Sequence, residues 1–261
     1  MAKYQELAGE LRAAIERGDY APGETIPKQE ELARAAGVNI KTVKAAVDLL
    51  QREGLVTAVR KRGTVVRERP ALRRRGMERY DKRLWLDEGT PAFGADRDAS
   101  GAGWSPANQT QVTRVVPATS EVAEGLAIMT GSPVLERARL VVDAAGSPTH
   151  TLTSYYRLED VEGTSLADPT PGPAGGRGGG LRVLTDRGLE PESITERLHA
   201  RMPSLDELDE LSLPSGEPVV VLTRVIWAAG RPVEFARGVH RASRFEWEYH
   251  FEIPDTRGEA R

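Results

Sequence analysis

The side chains that could bind an anionic polymer are concentrated near the start of the chain. Lysines stand at positions 28, 41 and 44, and residues 60–62 are all basic and are followed by a glycine. Ammonium and guanidinium groups donate hydrogen bonds to phosphate oxygens, and small polar side chains also contact a nucleic-acid backbone. The predicted contacts with duplex DNA are Lys28, Asn39, Lys41, Thr42, Lys44, Arg60, Lys61, Arg62 and Gly63.

The basic run at 60–62 is the most informative part of this set. Three cations at one hairpin tip repel each other unless an anion binds between them, which favours contact with a phosphate or a groove. Lys41 and Lys44 lie on the polar face of a predicted helix, and this favours DNA contact over an idle surface charge. Lys28 is compatible with either role. The later run at 73–75 is more typical of a solvated linker.

Caps and turns mark the elements that position these cations. Gly18 ends a first helix, Pro27 suits the first turn of a second, and Asn39 can cap a third that ends at Gly54. Residues 55–66 read as two short strands around a turn, which predicts a β-hairpin. Three helices followed by such a hairpin form an α-rich winged helix-turn-helix.

Charge is divided unevenly along the chain. Residues 1–75 carry 16 Lys and Arg against 10 Asp and Glu, whereas the remaining residues carry 20 against 29. A basic domain gains affinity for DNA by releasing condensed counterions, and an acidic domain is repelled by DNA. We therefore expect the first part of the chain to contact the duplex and the rest to lie away from it.

Several short motifs in the first 64 residues resemble the winged-helix domain of GntR-type bacterial transcription regulators. They are Tyr4-Gln5-Glu6-Leu7-Ala8, Ile26-Pro27, Glu31-Leu32-Ala33, Gly37-Val38, Thr42-Val43-Lys44, Glu53-Gly54-Leu55-Val56 and Arg62-Gly63-Thr64. The resemblance implies a homodimer whose recognition helices enter successive major grooves of operator DNA while the wing glycine reaches the minor groove. Lys28, Glu30 and Ile40 depart from the family's usual Ser, basic residue and Arg. An operator sequence therefore cannot be transferred from relatives.

The rest of the chain alternates between strand and helix patterns. Ser120 is placed to cap a helix over 120–130, and the glycine- and proline-dense residues 169–180 predict a loop. Predicted strands cover 111–117, 134–143, 149–156, 193–202, 219–228, 233–241 and 245–253, and short helices cover 181–188 and 204–211. This order predicts an α+β domain with an antiparallel sheet.

A second group of motifs resembles the UTRA effector domain of the HutC subgroup of GntR regulators. The group comprises Glu136-Arg137-Ala138-Arg139-Leu140, Leu213-Pro214-Ser215-Gly216-Glu217-Pro218-Val219, Arg224, Gly230-Arg231-Pro232-Val233-Glu234 and residues 241–245. The resemblance implies a chorismate-lyase-like fold that binds a small-molecule effector, with Arg137, Arg139, Glu234 and His240 at pocket positions. From the residues alone, the two arginines could equally lie on a solvated strand face, and His240 could be an ordinary edge histidine.

Two positions argue against an effector of the amino-sugar phosphate kind. Members of the subgroup that sense such molecules usually carry a carboxylate where this chain has Leu152. They also carry a Ser-Leu-Tyr-like helix start where this chain has Gly180-Leu181-Arg182. The resemblance therefore implies an effector of different chemistry.

The predicted division of the chain is a winged domain over 1–70, a linker over 71–107 and an effector-binding, dimerising domain over 108–255. Tyr80 and Trp85 in the linker are too apolar for free coil, and we expect them to pack on the second domain. The chain has no cysteine, no apolar signal core and no stretch of membrane-spanning length. We expect a cytoplasmic protein without cofactor or metal, whose partners are DNA, an effector and a second copy.

An enzyme is the main competing class, because the second domain resembles a lyase fold. The four histidines are scattered without metal-ligand spacing, and the chain has neither a nucleophile elbow nor a phosphate-binding loop. A regulator is therefore favoured, since fold alone does not confer activity. A regulator that has lost its effector response stays open as an alternative.

Overall fold

The N-terminal unit is a winged helix-turn-helix. In the computed structural model, which describes residues 2–59, 61–67, 72–99, 109–143, 146–168, 179–214 and 216–250, helices α1 (Lys3–Arg17), α2 (Gln29–Ala36) and α3 (Ile40–Arg52) precede a hairpin. Its strands are β1 (Val56–Val59) and β2 (Gly63–Val66). Buried apolar side chains from every element form one core: Leu7, Ala8, Leu11, Ile26, Leu32, Val43, Ala46, Val47, Leu50, Val56 and Val66. The predicted fold of this unit is confirmed.

Capping bonds set the ends of these helices. Gly18 ends α1 in the left-handed conformation with φ of 86°, and Asn39 Oδ1 accepts the Thr42 backbone N–H at 2.8 Å to begin α3. The prediction that Pro27 lies in the first turn of α2 is wrong. The helix begins after Lys28, whose backbone N–H donates to the Glu31 carboxylate at 3.0 Å, so this bond fixes the helix start beyond the proline.

The C-terminal unit is built on a six-stranded sheet with the order β4-β5-β6-β9-β8-β7. The strands are β4 (Gln109–Pro117), β5 (Pro133–Val142), β6 (Pro148–Arg157), β7 (Ser193–Arg201), β8 (Val219–Ala228) and β9 (Arg231–Arg241). All neighbouring pairs are antiparallel, which confirms the predicted sheet. The pairing of β6 with β9 joins two hairpins that are distant in sequence.

Helix α5 (Ser120–Leu126) packs on one face of the sheet, where Leu126 shares a core with Phe235. Its predicted cap at Ser120 is wrong by one residue. Thr119 Oγ1 accepts the Val122 backbone N–H at 3.3 Å, and Ser120 is already helical. Thr119 takes the extended backbone angles that the capping position requires.

The opposite face of the sheet is covered by α6 (Leu158–Val161) and α7 (Gly179–Asp186), and α8 (Leu205–Glu210) lies between β7 and β8 in the chain. Successive strand residues point to opposite faces of the sheet. Val134 and Val225 therefore belong to the core under α5, whereas the next residues, Leu135 and Ile226, belong to the core on the opposite face. Within the predicted loop over 169–180, residues 169–178 lie outside the described part of the chain. The last two residues of that prediction are helical in α7.

Residues 72–99 pack on the C-terminal unit. Strand β3 (Leu72–Arg75) pairs in parallel with β10 (Phe245–Glu248), and a 3-10 turn (Met77–Tyr80), a π-helical turn (Leu84–Glu88) and α4 (Ala92–Ala99) follow. The predicted final strand over 245–253 therefore ends earlier than expected and pairs outside the large sheet, because its partner comes from the segment predicted as a linker. Residues 251–253 lie outside the described part.

In the ranges that the structure describes, no helix is both long and apolar enough to cross a membrane.

Candidate DNA-binding and effector-binding sites

Helix α3 presents cations on the side opposite its buried face. Val43 and Leu50 are fully buried in the core, whereas Lys41 and Lys44 are exposed. Ile40 at the first helical position is 50% exposed, so an apolar side chain is also available to contact DNA. A helix with this distribution can enter the major groove while its apolar face stays on the unit's own core.

A tight turn closes the hairpin and forms the wing tip. Lys61 has φ of 67° and Gly63 has φ of 104°, a conformation that glycine adopts without strain. Both residues are exposed. Arg62 is held differently, because its Nη2 donates to the Gly23 carbonyl oxygen at 2.9 Å and fastens the tip to the loop after α1. Arg60 lies outside the described residues.

Asn39 and Thr42 are bound to each other at the start of α3. The Thr42 hydroxyl donates to Asn39 Oδ1 at 3.1 Å, in addition to the backbone capping bond. Lys28 lies exposed at the start of α2. The described members of the predicted DNA-binding set therefore share one unit, and two of them also cap the helix that would enter the groove.

The predicted effector residues Arg137, Arg139 and Glu234 meet on the sheet face opposite α5. Ser154 lies between them: Arg139 Nη2 donates to Ser154 Oγ at 2.6 Å, and Ser154 also hydrogen-bonds the Glu234 carboxylate. Glu234 Oε1 lies 2.8 Å from Arg224 Nη2. Burial opposes ionisation of Glu234, but Arg224 outweighs this effect and holds the pKa of the carboxyl below its usual value.

Arg139 carries a buried charge that lacks an ion-pair partner among the described residues. Its neutral neighbour Ser154 accepts one hydrogen bond, and Arg139 Nε is buried without an acceptor. Burial, together with the nearby charge of Arg137, lowers the pKa of Arg139 to about 9. The guanidinium therefore stays protonated at neutral pH. Buried donors are normally satisfied, so this group is suited to receive an anion or another strong acceptor.

A partly buried chain of polar and charged side chains that the sequence did not single out flanks this cluster. Glu196 and Arg224 are cross-strand partners in β7 and β8. The Tyr80 hydroxyl donates to Glu196 Oε1 at 2.5 Å and accepts from Arg224 Nη1 at 3.3 Å. Arg224 stood in the UTRA-like motif, and Glu196 lay within the strand predicted over 193–202. Neither signal reported that Tyr80 joins them.

His240 lies apart from the arginine pair and is buried, not at an edge. Its ring stacks on His150 at 4.8 Å between centroids and meets Phe245 edge-on. Burial and the adjacent His150 lower the pKa of His240 well below its usual value. The neutral ring then accepts from Arg74 Nη1 through Nε2 at 3.2 Å. Arg74 also lies 3.0 Å from Glu196, so His240 reaches the cluster only through intermediates.

Gly238 is a further residue of this region that the sequence did not indicate. A Cβ atom there would lie 2.7 Å from His240 Cε1 and 3.3 Å from the Thr151 carbonyl oxygen. Glycine therefore gives the His240 ring its place on the sheet. No cluster of three or more His, Asp or Glu that could hold a metal ion occurs among the residues the structure describes.

Comparison with known proteins decides the family. Residues 3–66 match the family described as bacterial regulatory proteins, gntR family, and residues 176–246 match the UTRA domain. The chain is 48% identical over 255 residues to the uncharacterized HTH-type transcriptional regulator SCO4628 of Streptomyces coelicolor, covering 97% of this chain and 94% of that protein. The chain belongs to the GntR family. It is a DNA-binding transcriptional regulator with an effector-binding UTRA domain, and it is not an enzyme.

Further proteins resemble the chain in sequence, in fold or in both. GgaR of Escherichia coli K12 is 27% identical over 238 residues, covering 89% of this chain and 84% of that protein. A solved GntR-family structure is 29% identical, with a TM-score of 0.64, and covers 97% of this chain and 99% of its own. PhnF from Mycobacterium smegmatis, at 19% identity and a TM-score of 0.56 over 95% of this chain and 100% of its own, shows a shared fold. The combination of domains fits the HutC subfamily.

One buried carboxylate joins the two units of this GntR regulator. Glu217, which is 1% exposed, lies 3.6 Å from Arg67 Nη1 after β2 and 3.3 Å from Arg241 Nη2 at the end of β9. It also accepts the Ser243 backbone N–H at 3.3 Å. Burial lowers the pKa of Arg67 although Glu217 opposes this shift. The wing is thus tied to the strand that carries Glu234.

Proposed function

We propose that this GntR regulator is a homodimeric cytoplasmic repressor that leaves its operator when a small anionic effector binds to the domain over 108–255. Its DNA contacts are Lys28, Asn39, Lys41, Thr42, Lys44, Arg60, Lys61, Arg62 and Gly63. Arg137, Arg139 and Glu234 bind the effector, and His240 acts on the same site through Arg74. Dimerisation aligns two recognition helices with successive major grooves.

We infer the chemical class of the effector from the buried environment of the Arg139 guanidinium. Arg139 is a buried guanidinium with an unsatisfied Nε and no carboxylate within salt-bridge distance in the described chain, and the more distant charge of Glu234 compensates it only in part. A ligand anion would therefore stabilise it. Glu234 adds an acceptor for a ligand hydroxyl or N–H, although Arg224 already occupies one side of its carboxylate. A carboxylate or phosphate that also carries a donor group fits this arrangement.

The residues around Arg139 further restrict which chemical classes of effector can bind. Leu152 faces Arg139 across the β5–β6 pair, so no carboxylate is available there to bind sugar hydroxyls. A Cβ atom at Gly180 would lie 3.0 Å from the Tyr156 hydroxyl, which leaves little space at the start of α7. We therefore propose a compact organic anion in preference to an amino-sugar phosphate.

Effector binding reaches DNA through the strand that carries Glu234. That strand, β9, also holds Arg241, and Arg241 shares Glu217 with Arg67 of the winged unit. A ligand that favours one position of β9 shifts the balance between dimer conformations. A coupling free energy of about 1–3 kcal/mol changes operator affinity roughly 5- to 150-fold.

The proposal is tested by measuring operator binding with a panel of carboxylates and phosphate monoesters. Fluorescence anisotropy gives the operator Kd of the parent, of Arg139→Gln and of the control Arg114→Gln. Arg114 is an exposed arginine of the same domain that pairs with Glu136. We expect one anion to weaken operator binding by the parent and by Arg114→Gln, while Arg139→Gln binds the operator normally and does not respond.

Two outcomes contradict the proposal. An anion that binds Arg139→Gln and releases it from DNA as it does the parent places the effector elsewhere. A panel in which no anion raises the melting temperature or changes the operator Kd favours a regulator without effector response.

A further inference from the structure

A small cavity, which we call the interunit cavity, lies where the wing meets the C-terminal unit. Its volume is about 200 Å³, and its wall contains Arg62 and Arg67 of the winged unit and Glu217, Arg241 and Arg244 of the C-terminal unit. Sites for drug-sized ligands usually have volumes of about 300–1,000 Å³. The interunit cavity therefore has space only for an ion or molecule of a few heavy atoms. The residues proposed to bind the effector do not line it.

Arg67 and Arg241 share a single oxygen atom of Glu217. Arg67 Nη1 lies 3.6 Å from Glu217 Oε2, and Arg241 Nη2 lies 3.3 Å from the same atom. Hydrogen bonds between two charged groups are usually about 2.7–2.9 Å long. Arg224 and Glu234 reach 2.8 Å in the same sheet. The charge of Glu217 is thus divided between two loosely held guanidinium groups.

The other arginines of the wall bring no spare negative charge. Arg62 Nη2 donates to the Gly23 carbonyl oxygen at 2.9 Å, and no carboxylate of the described chain forms an ion pair with Arg62. Arg244 lies 3.7 Å from Asp143, which balances its charge. Together with the two arginines that share Glu217, Arg62 makes three guanidinium groups around one carboxylate. Among the described residues, the wall therefore carries an excess of positive charge.

Partial burial makes this excess unfavourable and still leaves it accessible. Burial lowers the pKa of Arg67, the charge of Glu217 opposes this shift, and the charge of Arg241 adds to it. The side chains of Arg67 and Arg241 remain 11% and 12% exposed, so a small solute can reach them. Water in the cavity can accept hydrogen bonds but supplies no negative charge. A small anion supplies both.

We propose that the interunit cavity binds a small multivalent oxyanion, such as inorganic phosphate or sulfate, between the guanidinium groups of Arg62, Arg67 and Arg241. A planar guanidinium can donate two parallel hydrogen bonds to two oxygens of such an ion. Because the arginines come from both units, the bound anion adds a second bridge to the one made by Glu217. The site is separate from the effector site at Arg139 and does not depend on the function proposed above.

Isothermal titration calorimetry of the full chain with sodium phosphate tests the site, with sodium chloride of equal ionic strength as the reference. We expect Arg241→Gln and Arg67→Gln each to raise the Kd for phosphate at this site roughly 13- to 160-fold, as the loss of one charge-assisted hydrogen bond predicts. The matched control is Arg237→Gln. Arg237 lies on the same strand as Arg241, outside the cavity, and pairs with Glu121. This control should keep the parental Kd.

A second variant tests whether phosphate and Glu217 compete for the same arginines. Glu217→Gln removes the one carboxylate of the wall and increases the excess of positive charge. We therefore expect this variant to bind phosphate more tightly than the parent does. The control Glu190→Gln removes an exposed carboxylate that pairs with Lys82, and it should bind phosphate with the parental Kd.

Two further titrations distinguish the source of the phosphate and its site. Arg139→Gln should keep the interunit site, so that one phosphate still binds to each chain of this variant. We expect the same binding when Arg139→Gln is bound to operator DNA, because the cavity is too small for a duplex to enter. Loss of phosphate binding in that complex would mean that a backbone phosphate of DNA fills the cavity, and it would overturn the proposal of a free oxyanion.

Three other results also overturn the inference. The first is that the parent binds phosphate and sulfate no more tightly than chloride. The second is a parental phosphate Kd in Arg241→Gln and Arg67→Gln, with circular dichroism showing which of them is folded; where only one folds, that variant decides. The third is that Glu217→Gln binds phosphate more weakly than the parent does.

Discussion

At the scale of single residues, Glu234 neutralises a buried arginine of the large sheet. Removing it leaves the buried Arg224 guanidinium without its carboxylate at 2.8 Å. We expect Glu234→Ala to lower the free energy of unfolding by about 3–5 kcal/mol, because an uncompensated buried charge is strongly unfavourable. Urea denaturation followed by circular dichroism measures this loss.

The matched control is Glu121→Ala. Glu121 pairs with Arg237 at 3.6 Å, but both side chains are exposed. Surface pairs contribute little, so the expected loss is below about 1 kcal/mol. Equal losses in the two variants would show that Glu234 is not held in a buried ion pair.

Lys44 and Lys61 should contribute differently to DNA binding. Lys61 lies at the wing tip, where a phosphate contact is independent of sequence, and Lys44 lies on α3. We expect Lys61→Ala to weaken binding to all duplexes and to lower the slope of log K against log salt by about one. Lys44→Ala should reduce the preference for operator over random DNA. Anisotropy titrations at several salt concentrations measure both effects.

Lys82→Ala is the control for these two variants. Lys82 is a half-exposed lysine of the C-terminal unit that pairs with Glu190. It should leave both the affinity and the salt slope unchanged. A parental salt slope in Lys61→Ala would mean that the wing tip does not contact phosphate.

At the scale of elements, the start of α3 depends on the Asn39 cap. Asn39→Ala removes the acceptor for the Thr42 backbone N–H and hydroxyl. We expect a loss of about 1 kcal/mol in the stability of the winged unit. Asn39→Asp should keep parental stability because aspartate caps equally well, yet it should weaken operator binding because its charge repels phosphate. Thermal melts and anisotropy report the two effects separately, and a destabilised Asn39→Asp would contradict the capping role.

Local signals explain why the elements were predictable from the sequence. Gly18, Asn39 and Gly54 each lie within a few residues of the helix end that they determine. The sequence around each of them was therefore sufficient to predict that helix end. The two errors of capping, at Pro27 and Ser120, are shifts of one or two residues at a helix start. Alternation likewise predicted the strands of the large sheet within a few residues.

Contacts across distant strands explain what the sequence did not reveal. The resemblance to the UTRA domain pointed to Arg137 and Arg139, but the Tyr80–Glu196–Arg224 chain joins residues up to 144 positions apart. The parallel pairing of β3 with β10 is also non-local. Such partners depend on which strands become neighbours, and periodicity carries no information about that order.

At the scale of the whole molecule, the ion pairs of Glu217 link the winged unit to the sheet of the C-terminal unit. Glu217→Gln removes the charge that holds Arg67 and Arg241 together. We expect the two units to unfold in separate calorimetric transitions in this variant, whereas the parent unfolds in one. The control Glu190→Gln breaks an exposed pair with Lys82 and should keep the parental profile. A single parental transition in Glu217→Gln would show that the ion pair does not couple the units.

The pairing of β3 with β10 also determines when the finished shape can arise during synthesis. The winged unit has its own core and is complete on the ribosome after its first 66 residues. The strand that follows it waits for a partner about 170 residues later in the chain, and closing such a long loop is slow. The DNA-binding unit of a nascent chain can therefore fold well before the strand that follows it finds its partner.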